Sequence, residues 1–229
     1  MTTRAVLPIK DFANAKQRLA SILDVDERAG LCRAMVEDVL LAVEACPLID
    51  DIAIVTSDER AIELGRQFHA EVINEPPEKG LIPAVQHAAS TLAAAGVDRM
   101  IFLPGDVPLV TPDELEAILD GFAEPVKGIC LVPASDLGGT NCLVASPPDC
   151  VVFQFGIDSF RKHVAAAGAA GLSPVVLKLP GLGLDVDTPQ DLHELMTRLA
   201  FKGSESHTYR YCMEIDVDAR LASVIGGED

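Results

Sequence analysis

Two short acidic clusters, LPGDVPL over 103–109 and LDVDTP over 184–189, set three carboxylates, Asp106, Asp185 and Asp187, at the ends of apolar runs. Each run is expected to be a buried strand, and open α/β sheets bind ligands where their strands emerge. Three carboxylates gathered there repel one another unless a cation lies between them. The expected ion is Mg²⁺, which seeks oxygen ligands, keeps some waters and also takes substrate phosphates. In the second cluster, alternation along an extended segment turns Asp185 and Asp187 to one face. Pro104, Gly105 and Pro108 make a tight loop that would hold Asp106 fixed, although an aspartate after a strand often only orders a turn.

Cations stand near the N-terminus: Lys10 in LPIK, then Lys16 and Arg18 in AKQRL. They could surround a triphosphate, with free backbone amides adding donors; as plain helix residues, Lys16 and Arg18 would simply be solvated. With the carboxylates, they suggest an enzyme that works on nucleotides. Neither a G-x-G-x-x-G fingerprint nor a Walker loop is present. A third group joins GGTN at 138–141 with FGIDS at 155–159. Glycine lets a backbone approach phosphate closely, and Ser159 at a helix start offers a hydroxyl and an amide; a hairpin turn and an ordinary cap are the plainer reading. Thr188, Pro189 and Asp191 read as helix-capping residues. The five histidines show no ligand spacing, no serine sits in G-x-S-x-G, and the six cysteines form no C-x-x-C pair. The thiols read as small packed hydrophobes.

The elements that must position these groups follow from periodicity. A strand over Arg4–Pro8 leads into a short helix over Ala15–Leu23. A long helix over Glu27–Ala45 buries the stripe Leu31, Met35, Val39 and Val43. The β-branched run Ile52–Thr56 has the character of a parallel strand covered on both faces. A helix over Glu59–Gln67, a strand at Glu71–Ile73, a helix over Ile82–Ala95 and a strand at Met100–Leu103 come next. Thr111, Pro112 and Glu114 start a helix that stops at Gly121. Strands Ile129–Pro133 and Asn141–Ala145 flank a Gly138-Gly139 turn. A helix from Asp158-Ser159 to Ala167, a strand over Val175–Leu179 and a helix after Pro189 complete the order. Strands alternate with helices, so a three-layer α/β fold with a mostly parallel central sheet is expected.

The chain has 229 residues, 49% of them hydrophobic, with a formal net charge of −17. That surface repels nucleic acid, so a phosphate ligand must meet local cations or a metal. No signal or membrane segment is evident, and a cytoplasmic protein is expected. Residues 1–200 read as one domain. Residues 201–229, with Tyr209, Tyr211 and an acidic end, form an extension that could add a strand, cover a second copy in a homodimer, or stay flexible.

As a set, LPIK…AKQRL, IAIVTSD, GLIPAV, FLPGDVPLV, GGTNCLV, FGIDSFRKH and PGLGLDVDTPQDL resemble the 2-phospho-L-lactate guanylyltransferase family, which includes the phosphoenolpyruvate guanylyltransferases of coenzyme F420 biosynthesis. The stretches keep the family's order across nearly all of residues 4–200. The resemblance implies a Rossmann-like nucleotidyltransferase fold, GTP as donor, and 2-phospholactate, phosphoenolpyruvate or 3-phosphoglycerate as acceptor. It implies that Asp106, Asp185 and Asp187 hold Mg²⁺, that Lys10, Lys16 and Arg18 meet the GTP phosphates with Asp106 in catalysis, and that Gly80 and Leu81 lie near the nucleotide. Thr140, Gly156 and Ser159 would hold the acceptor. Ile82 replaces a frequent asparagine, and Asp158 a small residue. A molybdenum-cofactor or sugar-phosphate nucleotidyltransferase is an alternative, but such relatives begin with L-A-G-G-x-S-x-R, which LPIKDFANAK lacks. The other alternative is a nucleotide-binding module without catalysis.

Overall fold

The computed structural model describes residues 1–121, 127–202 and 205–225. Its centre is a seven-stranded sheet. Strand β1 (Thr3–Pro8) lies between β2 (Asp51–Val55) and β4 (Arg99–Phe102), parallel to both, and β3 (Glu71–Ile73) extends the β2 side. Beyond β4 come β6 (Thr140–Ser146), β5 (Gly128–Pro133) and β7 (Val175–Val176), giving the order β3-β2-β1-β4-β6-β5-β7. Only β6 runs against its neighbours, as the hairpin through Gly138 and Gly139 requires.

Alternate residues of one strand serve two cores. Ala5, Leu7, Ile52, Ile54 and Ile101 face one side, while Val6, Ala53, Val55, Met100 and Phe102 face the other. Burial on both sides removes the polar alternation of a half-exposed strand, which is why these strands read as continuous apolar runs. The first face is covered by α1 (Val25–Glu44), α2 (Glu59–Gln67), α4 (Pro112–Asp120) and α6 (Pro189–Lys202); the second by α3 (Leu81–Ala94) and α5 (Ser159–Ala169). Local chemistry sets several starts. Asp24 and Glu27 form a reciprocal capping box on α1, and the Thr111 hydroxyl accepts from Glu114 N ahead of Pro112 on α4. No described helix is long and apolar enough to cross a membrane.

Three expectations need correction. Residues 15–23 do not form a helix; 3₁₀ turns at Phe12–Asn14 and Gln17–Leu19 flank Lys16, whose backbone is left-handed at φ 51°. The last strand ends at Val176 rather than Leu179, with only Leu177 N reaching back to Leu131 O before the chain leaves toward Pro180. The second acidic cluster therefore follows no strand. It is an irregular segment ahead of α6, tied to the first cluster by Val186 N donating to Asp106 O at 3.0 Å.

The C-terminal segment forms α7 (His207–Glu214) and α8 (Val217–Ile225). Both lean on polar groups of α1. The Asp38 carboxylate accepts from His207 N, Thr208 N and the Ser206 hydroxyl at 2.7–2.9 Å, and Arg220 pairs with both oxygens of Glu27 at 2.6 and 2.7 Å. Cys212, Val217 and Leu221 enter the adjoining core.

Gly181 lets the 180–187 segment approach the α4 side. A Cβ there would meet Leu109 O at 2.4 Å, and its amide donates to Glu114 at 2.7 Å. Backbone cannot yield as a flexible side chain does, so Gly181→Ala should destabilise the fold by about 2 kcal/mol or more, read as a shift in denaturant midpoint.

Candidate active site

The loop after β1 delivers Lys16 to the mouth of the sheet. Arg28, buried on α1, braces that loop by donating to Ala15 O at 3.3 Å and Leu23 O at 2.8 Å. With the loop held, the Lys16 ammonium bridges Asp106 at 2.5 Å and Asp187 at 2.7 Å. Burial by itself would lower the Lys16 pKa, but the two carboxylates outweigh it and raise the ammonium above the ordinary lysine range. Lys16 is thus a fixed cation.

The carboxylates are held in turn. Asp191 Oδ2 accepts from Asp187 N, Thr188 N and the Thr188 hydroxyl, while Thr188 Oγ1 accepts from Asp191 N, so the expected caps also anchor Asp187. Asp185 accepts from Asn141 Nδ2 at 3.0 Å, and the same amide donates to Leu182 O. Burial raises the Asp185 pKa; the Asn141 bond opposes this, and the charges of Asp106 and Asp187 add to it. The three carboxylates therefore sense one another. Among the described residues no group of three acidic, histidine or cysteine side chains is placed to hold a metal ion together. Mg²⁺ needs none, since it binds through one or two carboxylates with phosphate oxygens and waters. An all-oxygen donor set that already clasps an ammonium fits that ion.

A cavity of about 530 Å³ opens beside this cluster, and Lys10, Phe12, Lys16, Leu81, Asp106 and Asp187 are among its lining residues. Five of the expected groups thus share one space. Gly80 caps α3 at its edge with φ 130°, a backbone shape suited to glycine, and no side chain caps the first amides of that helix. Ile82 is 38% exposed on the same turn. Arg18 is exposed in the second 3₁₀ turn and lies outside the cavity lining, as does Asp185. Cys32 does line it, but burial pushes its thiol up to about 12, so it offers no nucleophile at neutral pH.

Thr140, Gly156 and Ser159 form a separate group centred on His163. Thr140 Oγ1 lies 2.9 Å from His163 Nδ1, and Ser159 N donates to Gly156 O at 3.0 Å. The group joins the carboxylates through Asn141, which follows Thr140 in β6 and holds Asp185. Asp158, left-handed at φ 57°, pairs with Arg161 at 3.1 Å on the surface. Arg28 carries no signal in the sequence; His163 closes the FGIDSFRKH stretch one helical turn after Ser159, with no ligand spacing to mark its role.

Burial brings the His163 imidazole down to about 4 from an ordinary 6.5. As pH falls, the unfolded chain therefore takes up this proton first. The stability linked to the neutral ring is complete above about pH 6.5 and is lost toward pH 4, amounting to about 3 kcal/mol. Denaturant midpoints at pH 7 and 4.5 should fall more steeply in the wild type than in His163→Asn, which has no imidazole to protonate.

The chain is similar to known proteins in both sequence and fold. The family profile described as "Guanylyl transferase CofC like" matches residues 3–225. The chain is 35% identical over 209 residues to a phosphoenolpyruvate guanylyltransferase of Conexibacter woesei, covering 91% of this chain and 94% of that one. It is 31% identical over 215 residues to a 2-phospho-L-lactate guanylyltransferase of Methanothermobacter thermautotrophicus, covering 94% and 92%. A 3-phospho-D-glycerate guanylyltransferase of Colwellia psychrerythraea is 33% identical over 200 residues, covering 87% and 93%. In fold the chain is similar to a putative nucleotide-diphospho-sugar transferase from Desulfovibrio desulfuricans G20, with TM-score 0.78 at 21% identity over 97% and 98% of the two chains.

Proposed function

The chain belongs to the CofC-like guanylyl transferase family, and from that premise we propose that it transfers GMP from GTP to a three-carbon phospho-acid, releasing pyrophosphate, in the biosynthesis of coenzyme F420. The acceptor class is 2-phospho-L-lactate, phosphoenolpyruvate or 3-phosphoglycerate. The observation that carries this reading is the buried Lys16 ammonium clasped by Asp106 and Asp187 at the wall of a nucleotide-sized cavity.

An acceptor phosphate oxygen attacks the α-phosphorus of GTP. A new P–O bond forms there as the bond to the β-phosphate bridging oxygen breaks. A phosphate monoester has a second pKa near ~6, so the nucleophile is already anionic at neutral pH and needs no general base. The obstacle is anion meeting anion, and catalysis consists of positioning and charge neutralisation. Lys16 supplies a permanently charged ammonium, and Lys10 a second cation from the cavity wall. The open amides of α3 beside Gly80 and Leu81 suit the nucleotide, and Thr140, Gly156 and Ser159 suit the acceptor. Asp106 and Asp187 would hold Mg²⁺, with the charge of Asp185 close by, and the ion when bound neutralises developing phosphate charge. This division of labour accounts for a site rich in carboxylates and lysines with no reactive serine or thiol.

Pyrophosphate release with Mg²⁺ and GTP is to be measured against each of the three acids, with ATP and CTP as donor controls. Release with GTP and one acid is expected. Silence with all three, from folded protein that binds GTP, would overturn the acceptor class.

A further inference from the structure

Thr140 opens β6, and the ladder sets Phe102 of β4 opposite Leu143. Three residues on from Phe102 stands Gly105, and three residues back from Leu143 in the antiparallel β6 stands Thr140, so this threonine lies at the sheet end that carries Asp106. The residue is almost wholly enclosed, at 6% exposure. Beneath it His163 is fully buried, with the Phe155 ring edge-on at 4.8 Å and Phe153 at 6.5 Å.

The proton positions follow from the partners. The Gln154 backbone amide can only donate, and it lies 2.9 Å from His163 Nε2, so that nitrogen carries no proton. The ring's proton is then on Nδ1, 2.9 Å from Thr140 Oγ1. The threonine oxygen accepts, sharing the ring proton with the Ser159 backbone, and its own O–H is left to donate elsewhere. Among the described residues nothing accepts it. A buried donor without an acceptor costs free energy, and such groups in folded proteins are usually satisfied by water or ligand.

We propose that His163 is a positioning residue for acceptor binding: by carrying its proton on Nδ1 it commits the Thr140 hydroxyl to donate to an anionic oxygen of the phospho-acid. This rests on the acceptor reading above. A hydroxyl free to rotate could present its lone pairs and repel that anion; the imidazole N–H occupies the accepting side and leaves only the donor. The burial that keeps the ring neutral supports the same arrangement.

Two measurements test this. Imidazole ¹⁵N spectra of the intact protein should show a protonated Nδ1 and a bare Nε2; the reverse tautomer overturns the inference whether or not the enzyme turns over. For the phospho-acid that the wild type uses, Thr140→Val and His163→Gln should each raise its KM about tenfold and leave the KM for GTP unchanged. The double variant should be no worse than Thr140→Val, because the histidine acts through that hydroxyl. Penalties that multiply toward a hundredfold, or a matching rise in the KM for GTP, overturn the proposal. Wild-type silence with all three acids instead defeats the acceptor reading, and the tautomer result keeps the two failures apart. Thr140→Ser, which retains the hydroxyl, should recover most of the loss; no recovery means the effect is packing.

Discussion

Replacing Lys16 with methionine is expected to lower kcat/KM at least about a thousandfold, some ~4 kcal/mol of transition-state stabilisation, and to tighten Mg²⁺ binding measured without nucleotide. Both effects come from one geometry. The ammonium reaches Asp106 and Asp187 together, with only 8% of its side chain exposed. In the free protein it neutralises the same oxygens that a divalent ion would take, so lysine and ion compete for them. In the proposed reaction the lysine would serve the phosphates instead, and a methionine of similar length would fill the space without the charge. The two carboxylates left behind are 27% and 47% exposed, so water screens part of their repulsion and the variant should still fold. Mg²⁺ should then raise the melting temperature of Lys16→Met more than that of the wild type, through its preference for the native state. Equal shifts in the two proteins would show that the ammonium does not stand in the ion's place. Near-normal turnover would remove Lys16 from catalysis.

The fold was readable where its causes are local or periodic. Strands β1, β2 and β4 announce themselves because burial on both faces leaves no polar alternation, and the starts of α1 and α4 because capping is decided within four residues. The residues around Lys16 were misread for the opposite reason. Their composition suits a helix, but the chain adopts a left-handed backbone at Lys16 to serve carboxylates 90 and 171 residues away. Helix α7 was equally hidden. Its N-terminus is capped by Ser206 and by Asp38, the latter from some 170 residues earlier. In the site, residue types singled out Asp106, Asp187 and Lys16, because clustered carboxylates demand a cation. Nothing in the chain pairs Thr140 with His163; only the hairpin and α5 bring them together.

Asp106→Asn should cost more than Asp187→Asn, although both carboxylates meet the same ammonium. Asp106 is the more enclosed of the two and makes the shorter contact with Lys16. Asparagine has nearly the same shape and keeps one oxygen, so what disappears is the charge. The backbone should be unmoved, because Asp106 O, not its side chain, accepts from Val186 N and binds the two acidic segments together. The loss should therefore fall on kcat: about a thousandfold or more for Asp106→Asn, a smaller factor for Asp187→Asn, with melting temperatures close to the wild type. Lys16 retains Asp187 as a partner in the first variant and the more buried Asp106 in the second, which is why the effects should differ in size. Raising Mg²⁺ should recover part of the Asp106→Asn loss if the missing charge had weakened ion binding. A wild-type kcat in Asp106→Asn would sink the metal-ligand assignment, and collapse of the fold would show that the carboxylate is structural.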